Sequence, residues 1–194
     1  MKNIAIFASG NGSNAQNIIT HFNGSNIASV KLVITNNPNA YVLERASALG
    51  VPATVMDKAS LTADNPTELL TLLHNNSIDY IVLAGYMQKI PAALTDTFQG
   101  RIINIHPALL PKFGGKGMYG IHVHRAVVAA GEKLSGITIH LVDAVYDNGK
   151  ILFQAQCPLS PKDTPEDVAT KVQTLEQQHY PAVIGQYIKG NVSR

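Results

Sequence analysis

Midway along the chain stands Arg101-Ile102-Ile103-Asn104-Ile105-His106-Pro107, an apolar run that ends in an amide, an imidazole and a proline. The apolar residues favour a buried strand, which Pro107 stops because proline cannot donate to a strand ladder. Side chains two positions apart in a strand lie on one face, so Asn104 and His106 share a face. Ligands of open α/β sheets bind at the carboxyl ends of strands. The run therefore predicts a ligand site, with a histidine satisfied in a strand-end turn as the alternative.

Strand-like and helix-like segments alternate on the N-terminal side of this run. Strands are predicted over residues 3–8, 30–35, 54–55, 80–84 and 101–105, and helices over residues 13–22, 41–49, 66–75 and 90–98. The strands are apolar without alternation, which is typical of a parallel sheet covered on both faces.

The pattern changes in the last third of the chain. Residues 135–143 alternate between apolar and polar, as in a half-exposed strand, and residues 151–155 form another apolar strand. Asp147-Asn148-Gly149 lies between them and is a strong hairpin turn signal. The last helix is expected to open at residues 163–166 and to continue through Tyr187 with a perturbation at Pro181. The predicted fold class is α/β, a mostly parallel twisted sheet with helices on both faces and an antiparallel hairpin near the C-terminal end.

Composition limits the classes of protein. The 194 residues suit one domain, and the formal net charge of +2 comes from scattered rather than clustered basic residues, which disfavours a nucleic-acid partner. No apolar run approaches the roughly 18 residues that span a membrane. The apolar start is too short for a secretory signal. The single cysteine, Cys157, excludes an internal disulfide and a cysteine-rich metal site, so we expect a cytoplasmic protein.

A glycine-rich loop, Ser9-Gly10-Asn11-Gly12-Ser13-Asn14, follows the first strand and opens the first helix. Free N–H groups and a partial positive charge at a helix start favour a phosphate. The loop lacks the lysine of a Walker A motif, and no acidic residue after the second strand could hold a ribose diol. A phosphate monoester is therefore a better ligand than NAD, and a helix cap without ligand is the alternative.

The other histidines and acidic residues carry weaker signals. His122 and His124 lack a third metal ligand at a typical spacing, which favours packing or capping roles. If the strand that carries His140 pairs beside the Asn104 strand, Asp147 can reach the ligand site, where its charge would raise the pKa of His106. Ordinary turn chemistry is the alternative for this aspartate.

Five motifs, in their order along the chain, together resemble those of one protein family. These are Ser9-Gly10-Asn11-Gly12-Ser13-Asn14, Leu83-Ala84-Gly85-Tyr86-Met87, Asn104-Ile105-His106-Pro107, Leu109-Leu110-Pro111 and Asp147-Asn148-Gly149. The chain resembles the phosphoribosylglycinamide formyltransferases, the folate-dependent glycinamide ribonucleotide transformylases of purine synthesis, from about residue 2 to 188. The glycine-rich loop distinguishes this family from other formyltransferases, and the loop at residues 113–119 is longer and richer in glycine than expected.

The resemblance implies a Rossmann-like formyltransferase fold in one domain, 1–194, with a phosphate-binding half over about 1–100 and a folate and catalytic half over about 101–194. It implies transfer of a formyl group from 10-formyltetrahydrofolate to glycinamide ribonucleotide, without a metal, by a monomer or weak homodimer. Carried onto this sequence, the catalytic residues are Asn104, His106 and Asp147; the substrate residues are Gly12, Ser13, Asn14, Gln173 and Glu176; and the folate residues are Met87, Gln88, Lys89, Ile90, Asn104, His140, Asp143 and Asp147.

Three alternatives stay open at this point. A formyltetrahydrofolate hydrolase would use the same donor and the same three catalytic residues, but would be expected to carry a regulatory domain before the first strand. A methionyl-tRNA formyltransferase would need a further C-terminal domain and a basic surface. A nucleotide-binding module would use the glycine-rich loop and leave Asn104, His106 and Asp147 without a role.

Overall fold

Seven strands form one sheet in the computed structural model, which describes residues 1–192. The strands are β1 (Lys2–Phe7), β2 (Ala28–Thr35), β3 (Ala53–Val55), β4 (Tyr80–Leu83), β5 (Ile102–His106), β6 (Leu134–Leu141) and β7 (Ile151–Pro158). The helices are α1 (Ser13–Phe22), α2 (Val42–Ala48), α3 (Lys58–Thr62), α4 (Thr67–Asn75), α5 (Ala92–Thr97), α6 (Ile121–Ala129) and α7 (Pro165–Val192). Residues 193 and 194, the end of the predicted domain, lie outside the described residues.

The sheet order is β3-β2-β1-β4-β5-β6-β7. Strands β1 to β5 pair in parallel, whereas β6 runs antiparallel to both β5 and β7. The α/β prediction with a C-terminal antiparallel portion is therefore confirmed. Pairing of β6 beside β5 places His140 directly opposite Asn104. The condition under which Asp147 could reach the ligand site is thus met.

Differences from the predicted elements have local causes. Helix α3 was not predicted, although Asp57 caps it by accepting from the backbone N–H of Ser60 at 2.9 Å. A helix was expected to begin near His122 and His124, but its bounds were not predicted, and no side chain caps the start of α6. Helix α7 passes Pro181 without ending and extends beyond the predicted Tyr187 to Val192.

Strand β6 is buried on both faces, so the prediction of a half-exposed strand is wrong. Its polar residues Ser135, Thr138 and His140 are all buried. The Thr138 hydroxyl accepts from the Leu110 N–H at 2.9 Å and donates to the Ala108 carbonyl at 2.7 Å. The loop after β5 therefore covers Thr138 and satisfies its hydroxyl, which alternation along the sequence could not indicate.

Two apolar clusters cover the two faces of the sheet. Ile4 and Ile6 belong to one cluster, together with residues of α1 and α7, whereas Ala5 and Phe7 belong to the other, together with residues of α4 and α5. Because alternate side chains of β1 lie on opposite faces of the sheet, the strand contributes to both apolar clusters. This arrangement holds the ends of β1, β4 and β5 as a rigid edge for the site.

Tyr180 joins helix α7 to two central strands, β4 and β5. Its side chain is fully buried, and its hydroxyl lies 2.9 Å from the Leu83 carbonyl and 3.1 Å from the Ile103 carbonyl. We expect Tyr180→Phe to lower the free energy of unfolding by about 1–3 kcal/mol, because buried carbonyls lose their donor. Urea unfolding followed by circular dichroism measures this change.

Tyr187 provides the matched control for that substitution. Its hydroxyl donates to the Gly100 carbonyl at 2.8 Å, but the contact is only partly buried, so water can replace it. Tyr187→Phe should therefore cost less than Tyr180→Phe. Equal losses in the two variants would contradict the role assigned to the Tyr180 contacts.

Candidate active site

A cavity of about 740 Å³ opens at the carboxyl ends of β4 and β5. The predicted site residues that line it are Asn14, Met87, Gln88, Lys89, Ile90, Asn104, His106, His140, Asp143, Asp147, Gln173 and Glu176. Gly12 and Ser13 lie outside this lining, immediately before Asn14 in the chain. One cavity therefore gathers side chains that lie far apart in the sequence.

His106 is buried at the carboxyl end of β5, with a relative exposure of 3%. Its Nε2 lies 2.8 Å from the Phe113 carbonyl oxygen, and its Nδ1 lies 3.6 Å from Oδ2 of Asp147. A carbonyl only accepts hydrogen bonds, so Nε2 carries the proton of the neutral ring. The other nitrogen then faces the carboxylate, where a second proton would complete an ion pair.

Burial outweighs the nearby carboxylate in setting the charge of this ring. Burial lowers the pKa of His106 below its ordinary value, while the charge of Asp147 and the Phe113 carbonyl oppose that shift. The sequence-based expectation of a raised pKa captured the effect of Asp147 but not the larger desolvation. In the free site, His106 is therefore biased toward its neutral form.

Asn104 is oriented by the histidine opposite it on β6. The Nδ1 of His140 lies 2.8 Å from the Leu141 carbonyl and must donate to it, so Nε2 of the neutral ring accepts. That Nε2 lies 3.1 Å from Nδ2 of Asn104. The contact assigns the amide nitrogen of Asn104 to the His140 side, and one of its two hydrogens stays available for another acceptor.

Asp147 is held by the glycine-rich segment at residues 113–120. Its backbone φ is 53°, in the left-handed region, and its Oδ2 accepts from the Gly115 N–H at 2.8 Å. A Cβ on Gly114 would lie 2.6 Å from the Leu110 side chain and 3.3 Å from Cβ of Asp147. The glycines of this segment therefore let its backbone approach the carboxylate closely.

The glycine-rich loop after β1 is packed against helix α2. Gly12 has a φ of 76°, and a Cβ there would lie 2.5 Å from the Val42 side chain, so a larger residue does not fit. Arg45 donates from Nε to the Asn11 carbonyl at 2.8 Å and from Nη2 to the Asn11 side chain at 3.0 Å. A cation on α2 thus holds the loop whose N–H groups open α1.

Helix α7 places a carboxylate against the start of α1. Glu176 accepts from Nδ2 of Asn14 at 2.8 Å, and Gln173 lies 3.4 Å from the Ser13 hydroxyl. Burial raises the pKa of Glu176, and the Asn14 hydrogen bond opposes that shift. The arrangement connects the two predicted substrate residues on α7 directly to the predicted phosphate loop.

Comparison with known proteins assigns the chain to a family. The family model described as formyl transferase matches residues 2–184. The phosphoribosylglycinamide formyltransferase of Bacillus subtilis is 38% identical over 97% of this chain and 95% of its own length. This chain belongs to the phosphoribosylglycinamide formyltransferase family.

Other members of this family differ in length. The chloroplastic phosphoribosylglycinamide formyltransferase of Arabidopsis thaliana is 43% identical over 95% of this chain, which spans only 64% of that relative. The solved structure of glycinamide ribonucleotide transformylase 1 from Symbiobacterium toebii is 35% identical, with a TM-score of 0.89 over 98% of this chain and 89% of its own.

Several site contacts of this family member were not predicted from the sequence. Gln177 and the backbone groups of Phe113 and Gly115 contact predicted site residues, and Arg45 contacts Asn11 in the glycine-rich loop after β1. Backbone contacts leave no signal in residue type. Arg45 could have been found as a cation on the helix next to the loop, whereas Gln177 is one of many glutamines in a polar helix.

His124 is a further cavity residue that was assigned only a packing or capping role. It is 6% exposed, and its Nδ1 is buried without a hydrogen-bond partner among the described residues. Burial lowers its pKa from the ordinary 6.5, and the charge of His106 adds to that effect.

The two lowered histidine pKa values predict acid sensitivity of the fold. At a pH between the lowered pKa of the folded state and the ordinary value of 6.5, these histidines are protonated in the unfolded chain but not in the folded one. They therefore cost no stability above about pH 6.5, and the free energy of unfolding decreases as the pH falls below it. We expect the free energy of unfolding to decrease between pH 7 and pH 5.5, and His124→Leu to weaken that decrease. Urea unfolding at several pH values measures both, and an unchanged pH dependence in the variant would contradict the role of His124.

Two classes of feature are missing from the part of the chain that the structure describes. Residues 1–192 contain no group of three His, Cys, Asp or Glu side chains arranged to hold a metal ion. Over the same range, no helix has the length and apolar character needed to cross a membrane.

Proposed function

We propose that the chain transfers the formyl group of 10-formyltetrahydrofolate to the amine of glycinamide ribonucleotide, with formylglycinamide ribonucleotide and tetrahydrofolate as products in purine biosynthesis. The observation that carries the proposal is the shared cavity. It is lined by Asn14 and Glu176 beside the phosphate loop, by Asn104 and His106 at the strand end, and by the residues assigned to the folate. Two substrates bound in one cavity can react without a further encounter.

The acceptor would bind through its phosphate and its N–H groups. The backbone N–H groups of Gly12, Ser13 and Asn14 open α1, and the partial positive charge of the helix start suits a phosphate. Arg45 adds a cation beside the same loop. Gln173 and Glu176 would contact the rest of the glycinamide ribonucleotide. This division places the acceptor between the first loop and α7, and draws residues from both halves of the chain.

The folate would occupy the remaining lining. Met87, Gln88, Lys89 and Ile90 follow β4, and the segment from His140 through Asp143 to Asp147 faces the same cavity. Backbone groups of these segments can pair with the pterin ring. The formyl carbon would then lie next to Asn104 and His106, because these two side chains stand at the strand end between the two binding regions.

The reaction begins with attack of the acceptor amine on the formyl carbon. A carbon–nitrogen bond forms, and the carbonyl oxygen becomes an oxyanion in a tetrahedral intermediate. The free N–H of Asn104 can donate to that oxygen, and an imidazolium at His106 can neutralise it. A cation that is disfavoured in the free site but favoured beside an oxyanion stabilises the intermediate selectively, which is what catalysis requires.

The proton balance assigns a role to Asp147. The attacking amine must lose a proton, and the folate nitrogen must gain one before its bond to the formyl carbon breaks. Neutral His106 can accept the amine proton, and Asp147 with the Phe113 carbonyl stabilises the resulting imidazolium. The same proton then passes to the folate nitrogen, directly or through water.

An assay with and without acceptor tests this function. We expect 10-formyltetrahydrofolate to be converted to tetrahydrofolate only when glycinamide ribonucleotide is present, with one formylated product per folate released. Release that needs no acceptor would favour a hydrolase instead, and the absence of release in both reactions would contradict the proposal. Glycinamide riboside, which lacks the phosphate, is the matched acceptor and should show a much higher KM.

We also infer a small-molecule enzyme of the cytoplasm that is a monomer or weak homodimer and does not bind nucleic acid. The low net charge, the scattered basic residues and the single cysteine support this inference. Size-exclusion chromatography with light scattering over a range of protein concentrations tests the oligomeric state, and a stable higher oligomer would contradict it.

A further inference from the structure

The side chains of Gln177, Asn14 and Glu176 form a hydrogen-bonded series between α7 and α1. Nε2 of Gln177 donates to Oδ1 of Asn14 at 2.6 Å, and Nδ2 of Asn14 donates to Oε2 of Glu176 at 2.8 Å. The backbone carbonyl of Gln177 also accepts from the side chain of Asn17 at 2.7 Å. Asn14 itself is buried at the centre of this series.

When Glu176 is ionised, the hydrogen bonds of this series can run in only one direction, toward the carboxylate. A carboxylate only accepts, so Asn14 must present its nitrogen to Glu176 and its oxygen to Gln177. The donor at residue 177 satisfies Oδ1 of Asn14 and polarises its amide, which strengthens the donation from Nδ2 to an ionised Glu176. A protonated Glu176 would require both amides to turn over, and the charge-assisted bond from Asn14 to the carboxylate would be lost.

Given the proposed function, we infer that Gln177 is a positioning residue that acts through Asn14 to keep Glu176 as a hydrogen-bond acceptor for the glycinamide ribonucleotide. The amine and amide N–H groups of this substrate are donors, so they need an ionised carboxylate rather than a carboxylic acid. Glu176 is the group for which this distinction matters, because its burial already favours the protonated form. Gln177 thus contributes to acceptor binding without touching the acceptor.

Three variants test the inference. Gln177→Met removes the donor with little change in size, Gln177→His retains an N–H donor, and Gln178→Met makes the same change at the exposed neighbouring residue. Carboxyl carbon NMR of Glu176 measures its titration without any substrate. We expect Gln177→Met to raise the pKa of Glu176, Gln177→His to restore it in part, and Gln178→Met to leave it unchanged.

Kinetics provides the second readout. We expect Gln177→Met to raise the KM for glycinamide ribonucleotide by about tenfold, the size of one net hydrogen bond, with smaller changes in kcat and in the KM for the formyl donor. Gln177→His should recover part of the loss, and Gln178→Met should match the wild type.

Specific outcomes separate this inference from the proposed function. An unchanged titration of Glu176 in Gln177→Met would overturn the inference. Parallel losses in kcat and both KM values, together with a reduced folded fraction by circular dichroism, would also overturn it in favour of a purely structural role. A wild-type protein that forms no formylated product, while Gln177→Met still shifts the Glu176 titration, would refute the proposed function and support the positioning of Glu176.

Discussion

Asp147→Asn is expected to lower kcat by about 10²- to 10⁴-fold, the usual contribution of a positioned proton-transfer system. The substitution keeps the shape of the side chain but removes the charge that faces Nδ1 of His106 at 3.6 Å. Because burial already disfavours the imidazolium, the ring without this carboxylate would hardly accept the amine proton. Steady-state kinetics at saturating concentrations of both substrates measures the loss.

Substrate affinity shows whether the loss of kcat in Asp147→Asn comes from the missing charge or from a general disruption of the site. The acceptor and donor should bind Asp147→Asn nearly as well as the wild type, because the assigned role concerns a charge formed during the reaction. The double variant Asp147→Asn with Asn148→Asp tests whether a carboxylate in the adjacent turn position can substitute. Wild-type turnover in Asp147→Asn, or full rescue by a carboxylate at residue 148, would refute the role of Asp147.

A second large effect is expected at Asn104. Asn104→Leu removes the amide that His140 orients at 3.1 Å and should reduce kcat by about 10²- to 10³-fold, the usual cost of one oxyanion donor. Leucine has a similar shape, so the fold and the cavity should persist. Rapid-quench measurement of a single turnover reports the chemical step itself.

A matched asparagine variant controls for general damage. Asn76 donates to the Leu72 carbonyl at the end of α4, away from the cavity lining. Asn76→Leu should therefore lower stability without a comparable loss in the chemical step. If Asn104→Leu reduced acceptor binding and left the single-turnover rate at the wild-type value, the oxyanion role would be wrong.

Local patterns in the sequence carried much of the fold. The spacing of apolar residues predicted the order of strands and helices, and α1 begins and ends at the predicted residues. The shared face of Asn104 and His106 follows from the period of a strand, so it needed no tertiary information. The glycine-rich loop between β1 and α1 was also predicted, and Gly12 within it has a φ of 76°.

Other features depend on which surfaces become buried. The polar residues of β6 predicted an exposed face, but Thr138 instead bonds to the loop that covers it. The direction of the His106 pKa shift was predicted from Asp147 alone and is reversed by desolvation of the ring. Neither result could be obtained from residue types, because burial is a property of the packed chain.

The sequence by itself predicted a parallel α/β sheet, a glycine-rich loop at the start of α1 and a polar strand end at Asn104 and His106, since each of these depends on residues close by in the sequence. Tertiary structure alone brought Asp147 to His106 and Gln177 to Asn14, residues that are separated by 163 positions in the second pair. Contacts at such separations depend on strand pairing and helix packing, and an amide or carboxylate carries no local signal of the partner it will meet.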